Sequence, residues 1–539
     1  MDWAPGSIIR WLFDSKQGDS RRLIPRWLFL RALGLIYFSA FYSLAFQIRG
    51  LIGPNGILPA GEFLGNLTRL GPTRFWIAPT LLWFSSSSHM LMALCWVGML
   101  VSLLLTFNLW PRATLVVCLL CFLSFVSAAQ DFSGYQSDGM LLEAGFISFF
   151  FAPPGFRPGL GRSHPPSRAS QFLLLWECFR IYFESGLVKL ASGEPQWRNF
   201  TAMDEYYQNG PLPTWIGWYI QQLPHRVHAI ATGATLVMEL GLVWMFFLPR
   251  PLRIASFFIV TPWQAMVILT ANYTFLNYLV LALGFLLLDD RFILRVLPGK
   301  WRGRVEALLP VPTPAPGEGV DSARGLAPRR QRLSHLSALK LALTSVVLLW
   351  IFYATLVQMI WIVYPFPFPS SPVAALDPFR IANRYGLFAV MTRGRWEIEF
   401  QGSNDGQNWT AYPFRYKPQA TATPPGIYAP YQPRLDWNLW FASLGTWRDN
   451  MFVVSAQERL LSNDKDVLAL FAGNPFASAP PKFLRAVIWQ YWFTSMAEKR
   501  ATGMWWKRKP LGLYAPTVEK LPDGKLGVVQ WPEALPPRQ

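Results

Sequence analysis

Apolar runs of membrane-spanning length dominate the first 290 positions, broken by short polar corners. A helix crosses the hydrocarbon core of a bilayer with about 20 apolar residues, range about 17–25. On that measure spans are expected near 27–48, 88–107, 112–130, 139–153, 171–190, 229–248, 254–270, 272–288 and 342–363. The fourth is short enough to be re-entrant. The stretch 75–84 contains Pro79 and runs into Ser85–Ser88, which suits an interfacial segment better than a span. Beyond 364 the pattern changes character. Arg395-Trp-Glu-Ile-Glu-Phe400 alternates with period two, which predicts a strand. Ser403-Asn-Asp-Gly406 reads as a hairpin turn and Trp409–Tyr416 as its returning strand. Arg434–Ser443 and Glu458–Phe471 read as short helices, and Phe483–Phe493 and Trp505–Tyr514 as further strands.

The expected architecture is therefore a polytopic helical membrane bundle of about nine spans, followed by a water-facing β-rich domain, a sheet or a β-sandwich with short helices. The chain divides into a basic N-terminal segment 1–26, the bundle 27–288, a basic linker 289–341, a last span 342–363 and the domain 364–539. Within the linker, 308–330 is rich in Pro, Gly and Arg and has too little apolar surface to fold. Read alone, the sequence lets the bundle stand without the domain that follows it.

Composition agrees with the pattern. Hydrophobic residues make up 52% of the 539, and charged residues only 15%, against about 25% in soluble proteins. The net charge of +18 does not form a basic face suited to nucleic acid. Lys and Arg fall in 1–26, at Arg112, in 154–170, at Arg250 and Arg253, and densely from Arg291 to Lys340. By the positive-inside rule these segments face the cytoplasm, and 49–87, 131–138, 191–228 and everything after 363 face the other side. The first apolar run lacks a small-residue cleavage site and is expected to remain in the membrane. The four cysteines, Cys95, Cys118, Cys121 and Cys178, all lie in apolar segments. Cys118 and Cys121 are spaced as a CxxC, but inside an apolar helix they pack rather than react.

Ionisable residues within spans are costly and usually face a cavity or a partner. Span 171–190 carries Glu177, Arg180, Glu184 and Lys189. The first three share one helix face, while Lys189 lies at the outer end on the face of Tyr182 and Ser185. The same membrane side receives Asp131, Gln136 and Asp138, with Glu143 in the span that directly follows, and then Trp197 and Asp204. Two interpretations stand side by side. One is an ion-pair stripe with helix caps and an interfacial tryptophan; the other is an acidic, aromatic-lined cavity that binds or transforms a molecule. The five histidines do not make a metal spacing, and no nucleotide loop or nucleophile elbow is evident. Neither a metal nor a cofactor is expected.

Several stretches resemble the lipase maturation factor family. They are Arg31–Tyr37, Gln47–Pro59, Ser137–Gly145, Phe179–Trp197, Pro211–Trp215, Asn383–Thr392, Gln401–Gly406 and Pro433–Trp437. The resemblance implies a membrane-resident, chaperone-like factor for secreted lipases or similar exported clients, with the client-binding surface within 364–539. It implies the endoplasmic reticulum membrane, or the plasma membrane for a bacterial member, with the C-terminal domain lumenal or periplasmic. A shorter stretch, Gly186-Leu-Val-Lys-Leu190 followed by Trp197, is similar to a motif of the vitamin K-dependent γ-carboxylases. That likeness implies the alternative of a membrane enzyme with Lys189 as base and Glu184, Asp138 or Asp204 as helpers. The closer family favours the non-enzymatic factor.

Overall fold

The structure is a computed structural model, and it describes residues 5–309 and 334–535. The Pro- and Gly-rich stretch expected over 308–330 falls outside the described residues from 310 onward. Nine principal helices build the bundle. They are α1 (Leu23–Ala45), α2 (Ser88–Thr106), α3 (Pro111–Ala128), α4 (Gln136–Phe151), α5 (Arg168–Ala191), α6 (His225–Leu240), α7 (Arg250–Thr270), α8 (Leu276–Gly284) and α9 (His335–Ile360). Among the described residues, six segments are long and apolar enough to cross a membrane: α1, α2, α3, α6 with its continuation to Phe247, α7 and α9. The count of nine spans is not met by that measure. Helix α4 has 16 residues, and the apolar helix Leu276–Leu287 is also short. Helix α5 is long, but it carries the charged residues discussed below.

Apolar side chains point outward from the long helices, among them Trp96, Leu100, Ile230, Phe258 and Met266. With no hydrophobic drive between helices in lipid, close contact falls to small residues. Gly34 of α1 shows this. A Cβ there would sit 2.4 Å from Thr106 Oγ1 and 2.8 Å from the Ser102 carbonyl of α2.

Polar contacts sort the helix ends into two groups. At one end the Asp290 carboxylate accepts the backbone N–H groups of Leu23 and Ile24 at 3.1 and 2.8 Å, capping α1. There Arg26 donates to the carbonyls of Leu160, Gly161 and His164, and Arg250 pairs with Asp289. This is the end that gathers the basic loops. The opposite end carries the C-terminal domain.

That domain is one five-stranded antiparallel sheet, order β2-β1-β3-β4-β5. Its strands are β1 (Arg395–Ser403), β2 (Thr410–Ala411), β3 (Phe483–Phe493), β4 (Trp506–Lys520) and β5 (Leu526–Gln530). Helices α10 (Arg434–Leu444) and α11 (Phe452–Leu461) pack on it. The turn before β2 is tied by Asp405. Hydrogen bonds from the backbone N–H groups of Gln407 and Asn408 and the side chain of Asn408 hold its carboxyl well below the usual carboxylate range. The returning strand is two residues, not the eight of 409–416, because the chain leaves the sheet at Tyr412-Pro413. The helix expected over 458–471 is divided, with Asn463 at φ +53 between α11 and a single turn at Lys465–Leu468.

Candidate functional site

The intramembrane charges of α5 serve two different surroundings. Arg180, fully buried, pairs with Glu143 of α4 and lies 3.9 Å from Glu184. The remaining capacity of this group is filled from the segment that follows α9. Arg180 donates to the Asn383 carbonyl at 2.6 Å, and Glu143 accepts the Asn383 N–H at 2.9 Å. Asn383 Nδ2 donates to the Gly139 carbonyl at 3.0 Å. Glu184 accepts the Tyr385 N–H at 2.6 Å, and Gln136 exchanges two hydrogen bonds with the backbone of Gly386. The stripe is thus a socket for residues 383–386. Gly386 fits because its missing side chain makes room for Val188, 2.7 Å from where a Cβ would stand. Glu177, on the same helix face, is fully buried, and neither carboxylate oxygen finds a hydrogen-bond partner among the described residues.

Asp138 belongs to a second joint. Both its oxygens receive Arg434 of α10, at 2.7 and 2.9 Å, with both side chains at most 2% exposed. Arg434 also donates to the Phe132 carbonyl. Asp131 takes part through its backbone, accepting from Asn438 Nδ2 at 2.9 Å, while its side chain is exposed. A third joint, not foreseen, is Arg395 at the start of β1. It donates to the carbonyls of Gln208, Gly210 and Pro211 and pairs with Glu397, which also holds Lys417 at 2.9 Å.

Lys189 lies apart from all of these. Its Nζ donates to both oxygens of Glu239, at 2.7 and 2.6 Å, and sits 4.8 Å from the ring centre of Trp197. Trp197 is buried, and its Nε1 donates to the Phe388 carbonyl at 2.8 Å. These groups line a chamber of about 100 Å³ with Tyr182, Tyr206, Tyr273 and Tyr385. Glu184 is not the partner of Lys189: it faces Tyr385 N–H and Arg180. Nor do Asp138 or Asp204 reach the lysine. Asp138 is held by Arg434, and Asp204 pairs at the surface with His225 Nδ1 at 2.8 Å. The single acidic cavity imagined from the sequence is resolved into a socket, a joint, a surface pair and an enclosed ion pair. Glu239 went unnoticed in the sequence, although an acid inside the apolar run 229–248 is signal enough.

Two family models match in chain order: the lipase maturation factor transmembrane domain over residues 24–295 and the lipase maturation factor C-terminal domain over 381–516. The chain belongs to the lipase maturation factor family. Among similar proteins are lipase maturation factor 2 of Gallus gallus, 32% identical over 92% of this chain and 81% of the relative, and its counterpart in Homo sapiens, 31% identical over 92% and 82%. Lipase maturation factor 1 of Bos taurus is 30% identical over 95% of this chain and 92% of its own. No solved structure matches the chain. The family's transmembrane model contains Asp138, Glu143, Arg180 and Glu184, and its C-terminal model contains Asn383, Tyr385 and Arg434. Both halves of each buried joint therefore lie within family-matched sequence.

Proposed function

We propose that the chain is a membrane-resident maturation factor for an exported lipase or a similar secreted client. The C-terminal domain receives the client on the lumenal or periplasmic side, and the bundle holds that domain against the membrane. The observation that carries this reading is the match of both family models, in order, to a bundle and a domain joined by buried charges. Exposed apolar residues on the domain, Phe441, Val529 and Trp531, offer contact to an unfinished client. The test is removal of the chain from its source cell. Secreted lipase activity per unit of lipase protein should fall, and be restored by the full chain. Undiminished specific activity of every secreted lipase in the deleted cell would overturn the reading.

A further inference from the structure

The chamber around Lys189 has a larger neighbour. A second cavity of about 680 Å³ lies between the 387–393 segment and α10. The two share Tyr273, Leu387 and Phe388, which form the wall between them. Phe388 is held at φ +58, in the left-handed region that side chains other than glycine rarely adopt. Its ring leans on Tyr206 and Tyr273 with centroids 5.4 and 5.3 Å away.

The inner chamber is charge-balanced, since Lys189 and Glu239 satisfy each other. Its free hydrogen-bonding capacity lies elsewhere. Asn277, 6% exposed, lines it, and Asn277 Nδ2 finds no partner among the described residues. The Tyr273 hydroxyl, on a residue equally buried, meets only the neighbouring Tyr206 phenol, and with Tyr206 donating to its oxygen the Tyr273 proton is left for a ligand. Buried donors of this kind are normally paired. About 100 Å³ suits a group of a few heavy atoms, for a single water needs only roughly 10–15 Å³ on that measure. The outer cavity is lined mainly by Val390, Met391, Trp437, Trp440 and Phe441, with the Glu194–Arg393 ion pair, 3.3 Å, on another part of its wall. Val390 and Phe441 are exposed at its rim.

We propose that the two cavities form one site for an uncharged amphiphile with a carbonyl head, an acyl ester or amide. The carbonyl oxygen accepts from Asn277 Nδ2 and Tyr273 Oη in the chamber, and the apolar tail lies against Trp437 and Trp440. Phe388 is the partition the tail displaces. A carboxylate head is disfavoured, because it adds an unbalanced charge to a buried neutral site. The proposal does not depend on the lipase client.

The experiment uses the detergent-extracted full chain and the methyl ester of a ten-carbon fatty acid bearing a diazirine at the tail. Saturable photolabelling within 390–393 or 437–444 is expected. The unlabelled ester should compete at least about ten times better than the free acid, since tenfold corresponds to a single modest electrostatic difference. Asn277→Leu should weaken competition by about 2- to 10-fold, the range of one lost hydrogen bond. Its thermal midpoint without ester should be unchanged or raised, because a buried unpaired donor is gone. Tyr273→Phe, which removes one oxygen, should weaken binding by a similar factor and guards against misfolding of the first variant. Phe388→Gly suits the left-handed backbone and should retain binding while admitting bulkier tails. Unsaturable labelling, equal competition by the free acid, or full affinity in both Asn277→Leu and Tyr273→Phe would overturn the proposal.

Discussion

Lys189 is held as part of an ion pair: both oxygens of Glu239 receive its ammonium, and Trp197 covers it. Removing one partner of a buried pair strands the other charge, at about 3–5 kcal/mol, whereas replacing both with apolar groups is often neutral. Lys189→Met alone and Glu239→Leu alone should therefore each lower the unfolding midpoint of the extracted protein sharply. The double variant Lys189→Met/Glu239→Leu should recover most of the loss, and Lys189→Arg should stay near the parent. A double variant as unstable as either single one contradicts an ion-pair role. Maturation activity lost in Lys189→Arg at unchanged stability would instead mark a group that must release its proton, which a guanidinium cannot do.

Helices α4 and α5 do not finish their own polar chemistry. Asp138, Glu143, Arg180 and Glu184 are completed by Arg434, Asn383 and Tyr385, which come from beyond α9. Truncation after residue 363 leaves Asp138 without its arginine and strips Glu143, Arg180 and Glu184 of the hydrogen bonds supplied by 383–385, while the Arg180–Glu143 pair remains; each buried group left unsatisfied costs about 1–3 kcal/mol, or more when charged. The bundle, which the sequence alone allows to stand free, is thus expected to lose its folded state with the domain. Size-exclusion profiles of a fluorescent fusion check this: the truncated chain should aggregate where the full chain runs as a single peak. A monodisperse truncated bundle with the parent midpoint would show that the joints are dispensable. The same joints explain what the sequence disclosed. Most apolar runs were legible to within about four residues, because lipid imposes length and hydrophobicity directly: 88–107 against Ser88–Thr106 is the nearest match, and 342–363 against His335–Ile360 the farthest. The one-sided stripe on α5 was legible as a face needing partners. Which partner was not, because Asn383 and Tyr385 lie some 200 positions away from Arg180 and Glu184 and carry no local mark of where they dock. Strand β5 and the division of 458–471 were missed for a related reason. A short edge strand and a one-residue break at Asn463 leave little trace in periodicity.

At the scale of the molecule, charge and chain path agree. The basic loops meet at the end of the bundle opposite the sheet domain, where Arg26, Arg112 and Arg250 bind carbonyls or carboxylates of neighbouring loops. By the positive-inside rule the expected orientation has the basic end in the cytoplasm and residues after 363 on the far side. The chain's own cysteines are free but buried, so they give a quiet background for introduced ones. Gly303 lies in the helix Gly299–Glu306 at the basic end, with nothing within 4 Å of an added Cβ. Asp523 lies in the exposed turn before β5. In a bacterial host expressing the full chain, a membrane-impermeant maleimide added to sealed spheroplasts should label Asp523→Cys at once. Gly303→Cys should react only after permeabilisation. The reverse pattern would invert the orientation and place the sheet domain beside the cytoplasm, where an exported client could not reach it after crossing the membrane. Equal labelling of both in sealed spheroplasts would mean that the chain inserts in both directions, and that its charge asymmetry is too weak to fix one.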